Sequence, residues 1–230
     1  MKYSAVFLRL TLKGIFSSYY FYLSAAVMTV LFYLVLSRLG PELADARVVP
    51  LAAGQLVYSM ISTGMIFVFL FVNPVFISEK RAGTIIPLLC SPAGAGEILL
   101  GKAAGVAAAA MAGSAFSLLV PLAAFPAALA ALFAPGPLAA FFIVGGIIFS
   151  YAAMVGMLLL CTGNVKAVYP ALFFMNYVPV AVGKHTKTYL ETNGLGGANV
   201  LHLLSLAALL LLAGALYKFY FSRQRVAASV

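Results

Sequence analysis

The amino-acid sequence predicts an all-α, polytopic membrane protein with six transmembrane helices. Three observations lead to this fold class. The chain of 230 residues is 64% hydrophobic and 8% charged, whereas a soluble domain normally carries about 25% charged residues. The charged residues separate long uncharged segments and do not form a patch. Those segments reach the length of about 20 residues that a membrane-spanning helix needs. Lipid is therefore the expected solvent for most of the surface.

The first predicted element is an interfacial amphipathic helix at residues 1–13. Lys2, Arg9 and Lys13 fall within about 40° of one another on a helical wheel, and apolar side chains occupy most of the rest. Such a helix lies flat in the headgroup region of a membrane. A basic flank that only orients the first span is the alternative. No cleavable signal peptide is expected, because the first apolar segment is long enough to span and has no small-residue cleavage site.

Prolines and glycines mark the boundaries of the six predicted spans, because proline is disfavoured inside a helix. Asn73-Pro74 predicts a break at the end of the second span, and residues 126–137 separate the third span from the fourth. Residues 78–102 form a long cytoplasmic loop. No soluble domain fits, so 1–230 is a single membrane domain. The predicted spans are 14–37, 51–77, 103–126, 138–162, 167–183 and 199–219.

The positions of the basic residues predict that both termini face the cytoplasm. With the N-terminus inside, ten basic residues lie on the cytoplasmic side and four lie outside, as the positive-inside rule requires. The outer residues are Arg38, Arg47, Lys184 and Lys187. A plasma (inner) membrane is the expected location. The same scattering of charge argues against nucleic-acid binding, despite a net charge of +9.

The cytoplasmic loop carries the most informative segment, "SEKRAGTIIPLLCSPAGAGEILLGK". Charged residues lie at both ends, and four large aliphatic residues, Ile85, Ile86, Leu88 and Leu89, lie between them. A connection that only crosses water does not need these side chains. Apolar residues on a cytoplasmic element indicate docking onto another protein. A helix lying in the membrane surface is the alternative.

Within this loop, Gly96, Gly101 and Lys102 have the spacing of a nucleotide-binding P-loop. However, Ala103 replaces the Ser or Thr that a P-loop needs for its Mg²⁺, and no predicted strand precedes Gly96. The chain is therefore not expected to bind ATP or another cofactor by itself. Lys102 is instead predicted to anchor the cytoplasmic end of the third span by reaching toward the headgroups.

"EKRAGTIIPLLCSP" followed by "EILLGKA" resembles the loop between the second and third membrane helices of ABC-2 type transporter permeases. Six helices and a cytoplasmic N-terminus agree with this resemblance over nearly the whole chain, and Pro87 departs from it. The resemblance implies that the loop contacts a separate ATPase subunit. The residues predicted to couple to it are Glu79, Lys80, Arg81, Gly83, Thr84, Leu88, Leu89, Ser91 and Pro92.

The resemblance further implies a permease that exports an amphiphilic or hydrophobic substrate. ATP and Mg²⁺ would bind the partner chain, of which two copies are expected, together with a second permease subunit that forms a homodimer or heterodimer. A permease of the cytochrome c maturation type, which exports haem, is the alternative within this class, because "NYVPVAVG" before the last helix loosely resembles that subgroup.

Two stripes of uncharged polar residues recur at helical spacing inside the predicted spans. One interpretation is hydrogen bonding between helices, and the other is a path for an amphiphilic substrate. The candidate path residues are Tyr22, Thr29 and Tyr33 on the first span and Gln55, Ser59, Ser62 and Asn73 on the second.

The predicted spans have no Asp, Glu, Lys or Arg at their centres, which argues against an ion-coupled secondary carrier or channel, the main alternative of another class. No catalytic constellation indicates an enzyme. His202, near one end of the last span, is expected at the membrane interface. His185 and Glu191 lack a third ligand, so no metal site is predicted.

Overall fold

The computed structural model describes the backbone of residues 3–43, 49–162 and 165–228. Side chains are described throughout these ranges except at 38–43, 50, 85, 86, 89, 165–188, 191 and 223. The described chain is 90% helical and contains no strand, which confirms the all-α class. The helices, numbered in chain order, are α1 (Ser4–Phe16), α2 (Tyr19–Leu43), α3 (Val49–Val72), α4 (Ile85–Cys90), α5 (Ala95–Leu122), α6 (Pro126–Leu132), α7 (Pro135–Cys161), α8 (Val165–Phe219) and α9 (Arg223–Ala228).

Within the described residues, five helices are long and apolar enough to cross a membrane, the organisation of a multi-pass membrane protein. The predicted span without a counterpart among these five is the fifth, 167–183, which belongs to α8, where the backbone is helical and the side chains lie outside the described residues. The candidate spans are Tyr19–Ser37, Leu51–Arg81, Ala95–Leu122, Pro135–Cys161 and Thr192–Phe219.

The largest boundary difference concerns the third predicted span. It was placed at 103–126, but α5 begins at Ala95, so two helical turns extend into the segment assigned to the loop 78–102. The length of an uncharged segment locates the apolar part of a helix but not the first residue of that helix. Charged residues such as Glu97 and Lys102 can belong to the same helix where it extends beyond the hydrocarbon core. The first span likewise begins at Tyr19 and not at residue 14, because α1 continues to Phe16.

The break predicted at Asn73-Pro74 is wrong. A π-helical turn, Asn73–Ile77, follows α3, and the Ser78 N–H donates to the Asn73 carbonyl across it. The wider turn accommodates Pro74, which has no N–H and would crowd a regular α-turn. The helix then continues as a further α-turn, Ser78–Arg81. As a result, Glu79, Lys80 and Arg81 sit on a helix end.

Helix α5 packs against α1, α2, α3 and α7 and forms the centre of the bundle. Its small residues allow this close approach. A methyl group on Gly101 would lie 2.5 Å from the Ser4 carbonyl oxygen, and one on Gly105 would lie 2.6 Å from the Thr11 Cβ. The four-residue spacing of these glycines therefore serves packing within the chain.

The glycine-rich segment 188–199 is part of α8. In its described backbone the departure from helical geometry is at Gly194, with φ 67° and ψ −178°. Glycine adopts this positive φ without the steric strain that a side chain would bring. The chain therefore changes direction at Gly194.

Beyond the bend, α8 packs on α3 and α7 through a buried polar cluster. The Tyr58 hydroxyl donates to Asn199 Oδ1, and Asn199 Nδ2 donates to the Gly136 carbonyl at 3.3 Å. The rings of Tyr58 and His202 stack with their centroids 4.0 Å apart. His202 is 2% exposed, so it packs inside the bundle near this end of the last candidate span.

Candidate functional site

The charged side chains that the structure describes belong to one end of the bundle, here called the charged end. This end forms where α1, the end of α3, the start of α5 and the end of α7 meet. The final turn of α8 also reaches it, because the Tyr217 hydroxyl packs against Gly96. Residues 78–102 form most of its surface, so the candidate coupling residues lie here.

Lys80 ties the end of α3 to the end of α7. Its ammonium donates to the carbonyls of Leu159, Leu160 and Thr162 at 3.1, 3.3 and 2.6 Å. These oxygens belong to the last turn of α7 and the residue after it, where a helix leaves carbonyls unpaired and its dipole favours a cation. The side chain is buried. Lys80 therefore fixes the position of α7 and is not available at the surface for a partner.

Glu79, on the same turn, ties α3 to α5. Its carboxylate forms an ion pair with the Lys102 ammonium, which also lies 6.0 Å from the centre of the Phe76 ring. Lys102 is 4% exposed. The prediction that this lysine reaches toward the headgroups is therefore wrong, because burial between helices makes a carboxylate its best partner.

Gly83 and Thr84 end this helix through a Schellman motif. Gly83 has φ 70°, and its N–H donates to the Lys80 carbonyl while the Thr84 N–H donates to the Glu79 carbonyl. This is the hydrogen-bond pattern of a helix that ends in a left-handed residue, which glycine adopts with the least strain. The Thr84 hydroxyl donates to the same Glu79 carbonyl at 3.1 Å. The Gly-Thr pair therefore sets the direction in which the chain leaves Arg81.

The short helix α4 contains the aliphatic residues that the sequence analysis assigned to docking. Pro87 occupies its first turn, where a missing N–H leaves no hydrogen bond unmade. Pro87 and Cys90 are exposed, and the side chains of Ile85, Ile86 and Leu89 lie outside the described residues. Ser91 closes the helix, because its hydroxyl donates to the Leu88 carbonyl at 2.6 Å, and Pro92 follows as an exposed residue.

The C-terminal helix α9 lies beside α4. Leu88, Phe221 and Val226 border one small gap between these elements, and Val226 is 1% exposed. Leu88 is thus partly covered by the chain itself. The sequence analysis did not foresee this contact, because nothing in a six-residue polar and apolar segment specifies which element it meets.

Helix α1 has one face on α5 and one face exposed. Thr11 and Ile15 are buried against the bundle, whereas Arg9, Lys13 and Leu10 are exposed. Lys2, the third predicted basic residue, lies outside the described residues. An exposed face with both apolar and basic side chains has the composition of an interfacial helix. The opposite face of α1 packs against Gly101 and Gly105 of α5, and these contacts hold α1 against the membrane domain.

A cavity of about 1300 Å³ opens between α1, α2 and the end of α3. Leu23 and Val27 of α2 and Leu70 of α3 line its apolar part, and Asn73 and Arg81 lie along its wall toward the charged end. The Glu79–Lys102 pair borders the cavity as well.

The residues predicted to form a substrate path are not brought together around this cavity. Asn73 lines it, whereas Tyr22, Thr29, Tyr33, Gln55, Ser59 and Ser62 do not. Tyr22 and Tyr33 are 60% and 54% exposed, and the Thr29 hydroxyl donates to the Ala25 carbonyl of its own helix.

On α3, the polar stripe lies along the face that the rest of the described chain leaves uncovered. Gln55 and Asn73 are exposed, and Ser59 and Ser62 are half-buried. The Ser59 hydroxyl donates to the Leu56 carbonyl of its own helix at 2.6 Å. Polar groups on a spanning helix normally face protein or water and avoid lipid. This face is therefore available for a second subunit or a path.

Comparison of the chain with protein-family models, with curated proteins and with solved structures finds no match.

Proposed function

We propose that the chain is the membrane-spanning permease subunit of an ABC-2 type transporter, which exports an amphiphilic or hydrophobic substrate. ATP would be hydrolysed on a separate subunit present in two copies, with a second permease subunit completing the membrane part. The observation that carries the proposal is the double attachment of the helix end Ser78–Arg81 to two other helices of the bundle. Glu79 joins Lys102 of α5, and Lys80 joins the end of α7.

This attachment suits a segment that receives force from a partner. Helix α4 follows the helix end at Arg81 after a hydrogen-bonded turn and precedes α5 after the Ser91 cap. A push on α4 would therefore act on α3, α5 and α7 together. A connection that only linked two spans would not need one ion pair and one set of charged hydrogen bonds to two other helices, because burying charge is costly unless it is paired or hydrogen-bonded.

The orientation proposed from the sequence places the charged end in the cytoplasm of a plasma (inner) membrane, where a soluble ATPase subunit is accessible. The exposed residues Pro87 and Cys90 would then lie in the contact. The uncovered polar face of α3, with Gln55 and Ser59, would line the substrate path between two permease subunits.

Co-purification from native membranes tests the proposal. A tagged chain extracted in mild detergent should bring with it an ATP-hydrolysing subunit, and the chain purified alone should hydrolyse no ATP. Cys90→Glu, which adds a charge on α4, should abolish co-purification, whereas Ala127→Glu, also at an exposed position but on α6, should not. Recovery of the chain without an ATPase, or ATP hydrolysis by the chain alone, would contradict the proposal.

A further inference from the structure

We propose that the cavity beside Arg81 binds one anionic phospholipid from the leaflet that borders the charged end. The acyl chains would lie along α2 and α3, and the headgroup would meet the Arg81 guanidinium. This inference does not depend on the transport function proposed above, because a permease, a carrier and a scaffold could each hold such a lipid.

The depth of the cavity matches one leaflet. Leu70 and Arg81 both line it and are 11 positions apart, which corresponds to about 16 Å at about 1.5 Å per helical residue. Half of the hydrocarbon core of a bilayer is about 15 Å thick. Arg81 is also the last residue of its candidate span, so the cavity extends from the level of the headgroups to the middle of the membrane.

The wall of the cavity on the α2 side has a similar length and is also apolar. Ser18, which immediately precedes α2, and Met28 of α2 both line the cavity, and their separation corresponds to about 15 Å. Between them, Leu23 and Val27 are 52% and 51% exposed. The apolar wall is thus continuous with the lipid-facing surface of α2. An acyl chain can enter from the side without crossing water.

The charges on the cavity favour an anionic headgroup. Three charged side chains of the described residues line the cavity: the cations Arg81 and Lys102 and the anion Glu79. Their net charge is +1. The Lys102 charge is matched by Glu79. Arg81 is exposed and has no carboxylate partner within the described part of the chain. A guanidinium at headgroup level attracts anionic lipid.

The absence of tryptophan from the sequence makes the site measurable. Val27→Trp places the sole tryptophan of the chain on the cavity wall, and Leu211→Trp places it on the exposed surface of α8, where Leu211 is 76% exposed. Each variant is reconstituted in phosphatidylcholine nanodiscs that contain a minor fraction of phosphatidylglycerol with brominated acyl chains. Bromine quenches tryptophan fluorescence on contact, so quenching reports the local share of the anionic lipid.

We expect quenching at position 27 to correspond to about fivefold more anionic lipid than at position 211, the enrichment that one basic residue near a membrane supports. Adding Arg81→Gln should reduce quenching at position 27 to the value at position 211. Lys218→Gln, which removes an exposed cation at the same end but outside the cavity, should not change it. Leu23→Trp is the second reporter if Val27→Trp does not yield folded protein.

Three results would overturn the inference. Equal quenching at positions 27 and 211 would show that no anionic lipid is selected. Quenching that persists with Arg81→Gln would show that the Arg81 side chain does not attract the anionic lipid. A tryptophan at position 27 that no lipid quenches, even when all lipid is brominated, would show that a second copy of the chain covers the cavity.

Discussion

The Glu79 carboxylate pairs with the Lys102 ammonium and joins the last helical turn before residue 82 to the second turn of α5. The two side chains are unequally buried, with 33% of Glu79 and 5% of Lys102 exposed. Removing either partner leaves the other charge unpaired, but only Glu79 retains access to water. The consequences of the two substitutions should therefore differ.

Glu79→Ala should destabilise the protein more than Lys102→Met. The first leaves a buried ammonium without its carboxylate, a loss of about 3 kcal/mol, and the second leaves a carboxylate that water still solvates, a loss of about 1 kcal/mol. The double variant should be more stable than Glu79→Ala alone. Thermal unfolding midpoints in detergent micelles measure the order. Equal destabilisation by the two single variants would contradict the argument from unequal burial, and a double variant no more stable than Glu79→Ala would contradict the ion pair.

Lys80→Met should loosen the end of α7. Three carbonyls lose a charged donor, and a hydrogen bond to a charged group contributes about 1.5–3 kcal/mol. Amide hydrogen exchange measured by mass spectrometry should accelerate in peptides that cover residues 155–162 and remain unchanged at the other end of α7. Lys218→Met is the matched control, since Lys218 is an exposed lysine at the same end. Unchanged hydrogen exchange with Lys80→Met would show that Lys80 does not stabilise the end of α7.

Gly101→Ala should detach α1 from α5, because the added methyl group would lie 2.5 Å from the Ser4 carbonyl oxygen, which is backbone and cannot rotate away. Brief trypsin treatment in micelles should then cleave after Arg9 and Lys13 faster than in the unmodified chain. Gly214→Ala, whose methyl group meets no atom within 4 Å, is the control. If Gly101→Ala leaves the cleavage rate unchanged, α1 does not depend on this contact.

The proposed substrate path predicts that the uncovered face of α3 is in contact with water. In a chain carrying Cys90→Ser and Cys161→Ser, Gln55→Cys and Ser59→Cys should react with a charged, membrane-impermeant thiol reagent. The thiolate that reacts forms only where water can reach it. Leu210→Cys, on the 50% exposed apolar face of α8, should not react. Reaction at neither α3 position would favour helix packing over a substrate path.

The sequence predicted the class of protein because lipid-spanning helices need only length and low charge, both of which can be counted. It located the spans within a few residues in most cases, as for Pro135–Cys161 against the predicted 138–162. It missed the continuation of α3 through Asn73-Pro74, because a π-turn accommodates proline without a signal in composition.

At the candidate site, the sequence identified the relevant segment but not the partners of its charges. Glu79 and Lys80 are adjacent in sequence, yet they point to different helices, and spacing alone does not assign Lys80 to α7. Glu79 and Lys102 have opposite charges and lie on the two helices that one short connection joins. This placement was a usable sequence signal for their ion pair. The predicted path residues shared helical faces, but their position relative to the cavity depends on how α2 packs against α5.

Photo-crosslinking from Cys90 tests the central claim most directly. Cys90 is exposed on α4, so in a Cys161→Ser chain it can carry a thiol-linked photo-crosslinker in native membranes. The account predicts labelling only from the cytoplasmic side, and a crosslinked product that mass spectrometry identifies as an ATP-binding cassette subunit. Labelling of Cys90 only from the outer side, or crosslinking that never captures such a subunit, would contradict it.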